Sequence, residues 1–218
     1  MADTYSTAEV GFLRCDLDTA VNAFLGWQEG IFQPLGWTVS SEAGDLPASE
    51  ATTKLLPRAT APITRHLFVE TGSDWIAYFD NGPNGTDAGS AVPFLSNKLA
   101  VVGVRIVSTD RPHAGGAKPS WLSQTSEYPA CIFEFFDSSN AASRVMFSAN
   151  DGGKWKHMSY GQPLRGIEQE LALVDKEHPF SDERLRSVLH ALGIDAYTKS
   201  WYKNRWNLIV KSGEKGPE

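Results

Sequence analysis

Hydrophobic residues recur along this chain with two spacings, one typical of helices and one typical of strands. Between residues 17 and 31 the apolar positions return every three or four residues. They follow Asp16 and Asp18, and either carboxylate can cap a helix by accepting a hydrogen bond from a backbone N–H of the first turn. We therefore predict a first helix over 17–31 that ends near Pro34 and Gly36.

Short runs of aromatic and β-branched residues predict the strands. In chain order these runs are residues 10–15, 66–70, 75–79, 104–107, 132–136, 145–149, 155–160 and 206–210. Residues 71–73, Thr-Gly-Ser, separate the second run from the third, and residues 150–153, Asn-Asp-Gly-Gly, separate the sixth from the seventh. Glycine and asparagine tolerate the positive φ angles of tight turns, so both pairs of runs predict antiparallel hairpins.

Two further helices follow from the same apolar spacing. One begins after Ser90 and carries its apolar residues between positions 94 and 102. The other covers 182–192, where Ser181 is placed to cap the first turn and Gly193 to close the last. The pattern predicts an α+β fold: a mostly antiparallel, twisted sheet with about three or four helices packed mainly on one face.

The length and composition favour a single globular domain over residues 1–218. A chain of 218 residues that is 41% hydrophobic can bury one substantial core. Residues 40–64 are rich in Ser, Ala, Thr and Pro, and we predict a long surface excursion there. The tail 211–218 is polar and is predicted to be loose.

The charge balance argues against nucleic acid as a partner. The chain has 26 acidic and 20 basic residues and a net charge of -6, so binding to a phosphate backbone would need a strongly segregated basic face. No apolar run approaches the roughly 20 residues of a membrane span, and the first residues lack the pattern of a secretion signal. We expect a cytoplasmic protein without a membrane partner, in which Cys15 and Cys131 are buried free thiols rather than a disulfide.

Most enzyme classes lack their motifs here. The sequence contains neither of the glycine-rich phosphate-binding patterns nor the G-x-S-x-G turn of α/β-hydrolases. The five histidines are far apart and neither cysteine has a neighbouring ligand, so no zinc site is indicated. We predict no catalytic residue, no metal and no cofactor. The alternatives are a metabolite-binding module, or an enzyme with a dispersed site that combines His66 or His157 with Asp74 or Glu134.

The segment 73–87 joins an aromatic strand to an acidic, glycine-rich loop, and polar loops on rigid scaffolds often carry function. Loop 80–87 superficially resembles a calcium-binding loop. Its third position is Gly82 and its twelfth would be Ala91, where that loop needs oxygen ligands. We therefore exclude a calcium site of this type.

Asp74 and Asp80 flank the same predicted strand and could act as a pair of carboxylates. At the rise of an extended strand they would be roughly 20 Å apart, too far for an acid and base pair of the glycosidase kind. Two interpretations of the segment remain. Asp80 and Asn81 bond to backbone groups in a structural turn, or the loop forms a recognition edge.

Seven tryptophans are many for this length, and most lie in or beside apolar segments, which predicts that they are core residues. Trp121 differs because it follows Lys118-Pro119-Ser120 in a polar loop. An aromatic side chain on such a loop can anchor a protein interface, although core packing is open for it as well.

Two segments of the chain resemble a known class of proteins. Residues 74–82, DWIAYFDNG, and residues 185–197, LRSVLHALGIDAY, are similar to bacterial immunity proteins that neutralise interbacterial toxins, including toxins delivered by type VI secretion. The resemblance implies a small, soluble, acidic binding protein without catalytic residues. Such a protein acts by occluding the active site of a cognate toxin domain.

If the resemblance holds, an acidic surface with aromatic anchors would pair with basic groups around the toxin's active site. The residues that we predict to contact this partner are Asp74, Asp80, Asn81, Asp87, Trp121 and Glu127.

Overall fold

One ten-stranded sheet organises the chain. The structure, a computed structural model, describes residues 7–57, 63–82, 87–110, 124–125, 129–150, 154–167 and 180–213. In chain order the elements are β1 (Glu9–Leu13), α1 (Leu17–Phe32), β2 (Thr38–Asp45), α2 (Ala48–Ala51), β3 (Ile63–Thr71), β4 (Ile76–Asp80), α3 (Ala88–Leu99), β5 (Val102–Asp110), β6 (Gln124–Thr125), β7 (Ala130–Asp137), β8 (Arg144–Asn150), β9 (Trp155–Gly161), α4 (Asp182–Ala191) and β10 (Tyr202–Ser212). Short 3-10 helices occupy Gln33–Leu35, Thr52–Leu55 and Lys199–Trp201.

Nine strands follow one another in the order β2-β10-β3-β4-β1-β5-β7-β8-β9, and each is antiparallel to its neighbours. Strand β6 pairs with β5 in parallel, outside this series. The predicted α+β fold with a mostly antiparallel sheet is confirmed. Within the described residues the sheet is open, and β2 and β9 are its two ends.

Both faces of the central sheet are apolar. Along β4, Ile76 and Tyr78 belong to the cluster with α1 and α3, whereas Ala77 and Phe79 belong to the cluster with α2 and α4. Two apolar faces need two covers, which is why helices lie on both sides. The two longest helices, α1 and α3, share one face, so most of the helical residues lie on one side of the sheet, as expected. The shorter helices α2 and α4 cover the other face.

The helix ends follow the sequence signals. Asp16 caps α1 by accepting a hydrogen bond from the backbone N–H of Thr19 at 2.8 Å. Ser181 caps α4 in the same way, with the N–H of Arg184 at 3.3 Å. Gly193 follows α4 with a φ of 78°, the left-handed conformation predicted for it.

Both predicted hairpins are present. Strands β3 and β4 pair antiparallel with His66 opposite Asp80, and β8 and β9 pair with Phe147 opposite Met158. The turn 151–153 lies outside the described residues. Helix α3 begins at Ala88, three residues before the predicted start, and α4 ends one residue early.

Much of the segment 40–64, where we predicted a surface excursion, consists of regular elements: most of β2, α2, a 3-10 helix and the start of β3. Strand β2 pairs along its whole length with β10, and the segment after it buries Ala51 and Leu55 in the core. A Cβ on Gly44 would overlap the ring of Trp206, so this strand needs a glycine to lie against the tryptophan.

Strand β10 extends beyond the predicted run 206–210 at both ends. Its last residues, Lys211 and Ser212, pair with both β2 and β3, so the first part of the predicted tail 211–218 belongs to the sheet. Residues 214–218 lie outside the described residues.

A buried ion-pair cluster links three central strands on the α3 side. Arg105 of β5 donates to Glu9 of β1 through Nε at 2.7 Å and Nη2 at 3.0 Å, and to Glu134 of β7 through Nη1 at 2.7 Å. Burial raises the pKa of Glu9, and the hydrogen bonds from Arg105 and the backbone N–H of Gly89 oppose that shift. Gly89 belongs to the first turn of α3, so the cluster also positions this helix on the sheet.

Candidate functional site

A pocket of about 200 Å³ lies where α1 and α3 meet the strands β3, β4 and β10. We call it the α1/α3 pocket. Its polar lining comes from five elements or their ends, and these side chains are Gln28, His66, Tyr78, Asp87, Ser90 and Lys211. Aromatic side chains of α1 form much of the remaining wall.

His66 is a deeply buried polar group of the pocket. Side chains alternate along β3, so His66 and Phe68 point to the same side of the sheet, the side covered by α1 and α3. His66 is 2% exposed, and its Nδ1 lies 2.8 Å from the hydroxyl of Tyr78. Among the described residues, its Nε2 has no hydrogen-bond partner.

The imidazole of His66 is neutral at physiological pH. Burial lowers its pKa to about 3, and the positive charge of Lys211 acts in the same direction. A neutral imidazole offers one N–H and one lone pair, so Nε2 can serve as a donor or an acceptor, depending on the tautomer.

Lys211 supplies the positive charge of the pocket. Its Nζ lies 3.3 Å from Oε1 of Gln28 and 3.8 Å from the ring centroid of Phe32. Partial burial lowers its pKa, and the negative charge of Asp87 opposes the shift. Within the described part of the chain Lys211 forms no ion pair within 4 Å.

Asp87 supplies the negative charge, immediately before α3. Its side chain is 44% exposed, and its Oδ2 lies 3.9 Å from Nδ1 of His66. Because His66 is neutral, this contact is not an ion pair. The carboxylate of Asp87 and the ammonium of Lys211 therefore line the same pocket without neutralising each other directly.

Asp80 and Asn81 hold the backbone next to this pocket. Both are 1% exposed. Asp80 Oδ1 accepts from the N–H of Gly82 at 2.8 Å, and Asn81 Oδ1 accepts from the N–H of Arg65 at 2.8 Å. This is the structural role that the sequence left open for them. Their burial does not suit them for the direct partner contact that we also predicted.

Burial also changes the acidity of Asp80. It raises the pKa of this carboxyl to about 7, with the charge of Asp87 as the second cause. Asp80 therefore changes its protonation state in the neutral range, next to the pocket.

Asp74 lies at the opposite end of β4 from Asp80, as the strand spacing predicted. Its Oδ2 accepts from Nε of Arg14 at 2.5 Å, and both side chains are more than half exposed. They border a second pocket of about 390 Å³ together with Arg205, which pairs with Asp18 and Glu70. The structure thus does not place Asp74 in the same site as Asp87.

Trp121 and Glu127, the other two predicted contact residues, lie outside the described residues.

The groups proposed for a dispersed enzyme site are not brought together. His157 Nδ1 lies 2.8 Å from Oγ of Ser148, whereas Glu134 binds Arg105 on the other face of the sheet. His66 pairs across the strands with Asp80, at the far end of β4 from Asp74. Searched over the described residues, the chain has no group of three His, Cys, Asp or Glu side chains that could hold a metal ion.

The end strand β9 presents a surface that the sequence did not predict. All seven of its residues are exposed, and its large side chains Trp155, Met158 and Tyr160 are 46%, 49% and 60% exposed. Trp155 was expected to be a core residue. The lysines at 154 and 156 were the available signal, because lysines are common on strands that end a sheet.

Neither Cys15 nor Cys131 forms a disulfide bond, as predicted. Cys131 is buried, whereas Cys15 is only partly buried. Burial raises the pKa of the Cys15 thiol to about 12, so this thiol is not activated as a nucleophile. No helix in the described parts of the chain is long and apolar enough to cross a membrane.

Comparisons with protein-family models, with curated proteins and with solved structures found no match to this chain. The functional argument therefore rests on the residues of the two surfaces described above, the α1/α3 pocket and the exposed strand β9.

Proposed function

We propose that this protein is a cytoplasmic immunity-type binding protein that neutralises a cognate bacterial toxin domain by occluding its active site. The resemblance of residues 74–82 and 185–197 to such proteins suggested this function. The observation that carries it is β9, an end strand with three large apolar side chains in contact with solvent.

Strand β9 has the properties of a protein-binding surface. Tryptophan, tyrosine and methionine are enriched in protein interfaces, where they contribute large contact areas. An end strand also has backbone N–H and C=O groups on its outer side that a partner strand can pair with. Trp155 and Tyr160 lie near opposite ends of the strand, on opposite faces, so a partner that wraps this edge can contact both.

The acidic charge of the protein supports association with a basic toxin domain. A net charge of -6 attracts a basic partner over a longer range than direct contacts do. In this proposal the charge accelerates the encounter, and the aromatic residues of β9 hold the complex. Asp74, before β4, and Asp87, before α3, contribute to this negative field whether or not they enter the interface.

The experiment uses the toxin domain encoded by the gene adjacent to that of this protein. We expect the two purified proteins to form a complex in size-exclusion chromatography, and co-expression to restore the growth of cells that produce the toxin domain. The double variant Trp155→Ser, Tyr160→Ser should bind at least about tenfold more weakly and should fail to restore growth.

Leu35→Ser is the matched control, because Leu35 is 66% exposed but belongs to the 3-10 helix after α1. This variant should bind as the wild type does. Absence of a complex with the wild-type protein would refute the proposed function. Unchanged binding by the double variant would refute the assignment of β9 as the contact surface.

A further inference from the structure

Among the described residues that line it, the α1/α3 pocket has one positive and one negative side chain, and these two do not form an ion pair with each other. The Lys211 ammonium contacts the Gln28 amide oxygen and the ring of Phe32. Within the described residues, the carboxylate of Asp87 lies 3.9 Å from Nδ1 of the neutral His66 ring. Both charges border the same pocket.

A ligand with a single charge would complement only one of these groups. Displacing water from the pocket would leave the other charge partly buried without a counter-ion, which is unfavourable. A ligand that carries both charges would complement the two at once. The polar side of the pocket therefore matches a zwitterion better than a simple anion or cation.

His66 provides a third, independent polar group. It is only 2% exposed, it lines the pocket, and its Nε2 has no hydrogen-bond partner in the described part of the chain. A buried polar atom without a partner costs free energy, and a bound ligand that makes this hydrogen bond would recover that cost.

The remaining wall and the volume restrict the rest of the ligand. Phe24, Trp27, Ile31 and Phe32 of α1 supply an apolar surface. The volume is about 200 Å³. A cavity of about 150 Å³ holds a benzene molecule, so this pocket has room for roughly eight to ten non-hydrogen atoms.

We propose that the α1/α3 pocket binds a small zwitterion with an apolar tail, of the size of a free aliphatic amino acid. Its ammonium group binds Asp87, its carboxylate binds Lys211, and one of its polar atoms makes a hydrogen bond with His66. The apolar tail packs on the aromatic wall of α1. This site is separate from β9 and does not depend on the proposed toxin-binding function.

The first test varies the ligand and leaves the protein unchanged. Glycine, L-valine, L-leucine and L-isoleucine are titrated into the full-length protein and followed by calorimetry and by amide NMR spectra. We expect saturable binding of at least one branched amino acid. The affected amide signals should come from residues 28–32 and 87–91.

Two analogues of leucine then test the two charges. 3-Methylbutylamine lacks the carboxylate and 4-methylpentanoate lacks the ammonium group, and both are smaller than leucine, so steric exclusion cannot explain weak binding. Each should bind at least about tenfold more weakly than the amino acid.

The second test varies the protein. Lys211→Met and Asp87→Asn should each weaken amino-acid binding at least about tenfold. Lys98→Met is the control for the first variant, because Lys98 also lies over an aromatic ring, 5.5 Å from the centroid of Phe94, but does not line the pocket. Asp74→Asn is the control for the second, at the other end of β4.

The proposal is overturned if no amino acid in the series binds saturably, or if either analogue binds as tightly as its parent. The ligand series uses the wild-type protein, so it decides the question even if a pocket variant fails to fold. Pocket variants that fold should bind the toxin domain as the wild type does, which separates a failure of this inference from a failure of the proposed function.

Discussion

The two halves of the sheet differ in how far they are covered. Beneath α1 and α3, every residue of β4 is buried. At the β9 end, every residue of the strand is exposed. The covered half can admit only a small molecule, in a gap between the helices and the sheet. The open half can meet another protein along a whole strand, so one sheet offers two kinds of binding surface.

The largest expected effect compares one phenylalanine from each half. Phe24 is 1% exposed and contacts the rings of Trp27, Phe68 and Tyr78, so Phe24→Ala should cost about 3–5 kcal/mol of unfolding free energy. Phe147 of β8 is only partly buried, and Phe147→Ala should cost roughly 1–2 kcal/mol. Urea denaturation of both variants measures the difference. Equal losses would show that the β8 and β9 end is as well packed as the centre.

A glycine pair tests how tightly the helices cover the sheet. A Cβ on Gly11 of β1 would overlap Val92 of α3, so Gly11→Ala should cost about 1–3 kcal/mol. Gly26 of α1 has open space around it, and Gly26→Ala should stabilise the protein by up to ~1 kcal/mol because alanine favours the helix. Thermal and urea denaturation should both show a loss of stability for Gly11→Ala and a gain for Gly26→Ala. A neutral Gly11→Ala variant would contradict the close contact of α3 with β1.

The pH dependence of stability tests the covered half through two buried groups with opposite effects. The pKa of His66 is about 3 in the folded state against an ordinary 6.5, so its contribution to stability is present above pH 6.5 and is lost as the pH falls. The pKa of Asp80 is about 7 against an ordinary 3.8, so its contribution is present below pH 3.8 and is lost as the pH rises towards 7. Between pH 3.8 and 6.5 the two groups change the free energy of unfolding with pH in opposite directions, so their effects should largely cancel in the wild type.

Two variants should separate the pH dependence that His66 gives to stability from the pH dependence that Asp80 gives. Between about pH 4 and 6.5, His66→Gln should become less stable as the pH rises, and Asp80→Asn should become more stable, each by up to ~1 kcal/mol per pH unit relative to wild type. Urea denaturation across this range measures both. Parallel pH profiles for all three proteins would contradict the burial of these groups.

The smallest expected effect concerns the open half. Tyr160 is 60% exposed, so Tyr160→Ser should change the unfolding free energy by no more than ~0.5 kcal/mol. The same denaturation assay checks this. A loss above ~1 kcal/mol would show that β9 is covered in the folded protein, and would remove the basis for a partner surface there.

Local elements could be predicted from the sequence where the signals lie close together in the chain. Asp16 and the apolar spacing after it define α1, and the Asn-Asp-Gly-Gly sequence predicted the pairing of β8 with β9. Asp80 and Asn81 also take the turn role that their residue types allow. In each case the partners that stabilise the element are within one or two turns of chain, or in the adjacent strand.

The arrangement of these elements could not be predicted in the same way. Lys211 was assigned to a loose tail, because nothing beside it in sequence shows that β10 continues between β2 and β3. The pocket needs Lys211, His66 and Asp87 from three separate parts of the chain. Trp155 was expected in the core because an apolar residue in a strand does not reveal whether another layer covers that strand.

The inner position of β10 has a consequence for biosynthesis. This strand fills the space between β2 and β3, and both pair with it along most of their length. While the ribosome adds the residues before 202, β2 has no partner in the described sheet and β3 keeps one open edge. The nascent protein therefore carries an unprotected template for aggregation until residues 202–212 have been made, and chaperones that shield exposed strands would act on it in that interval.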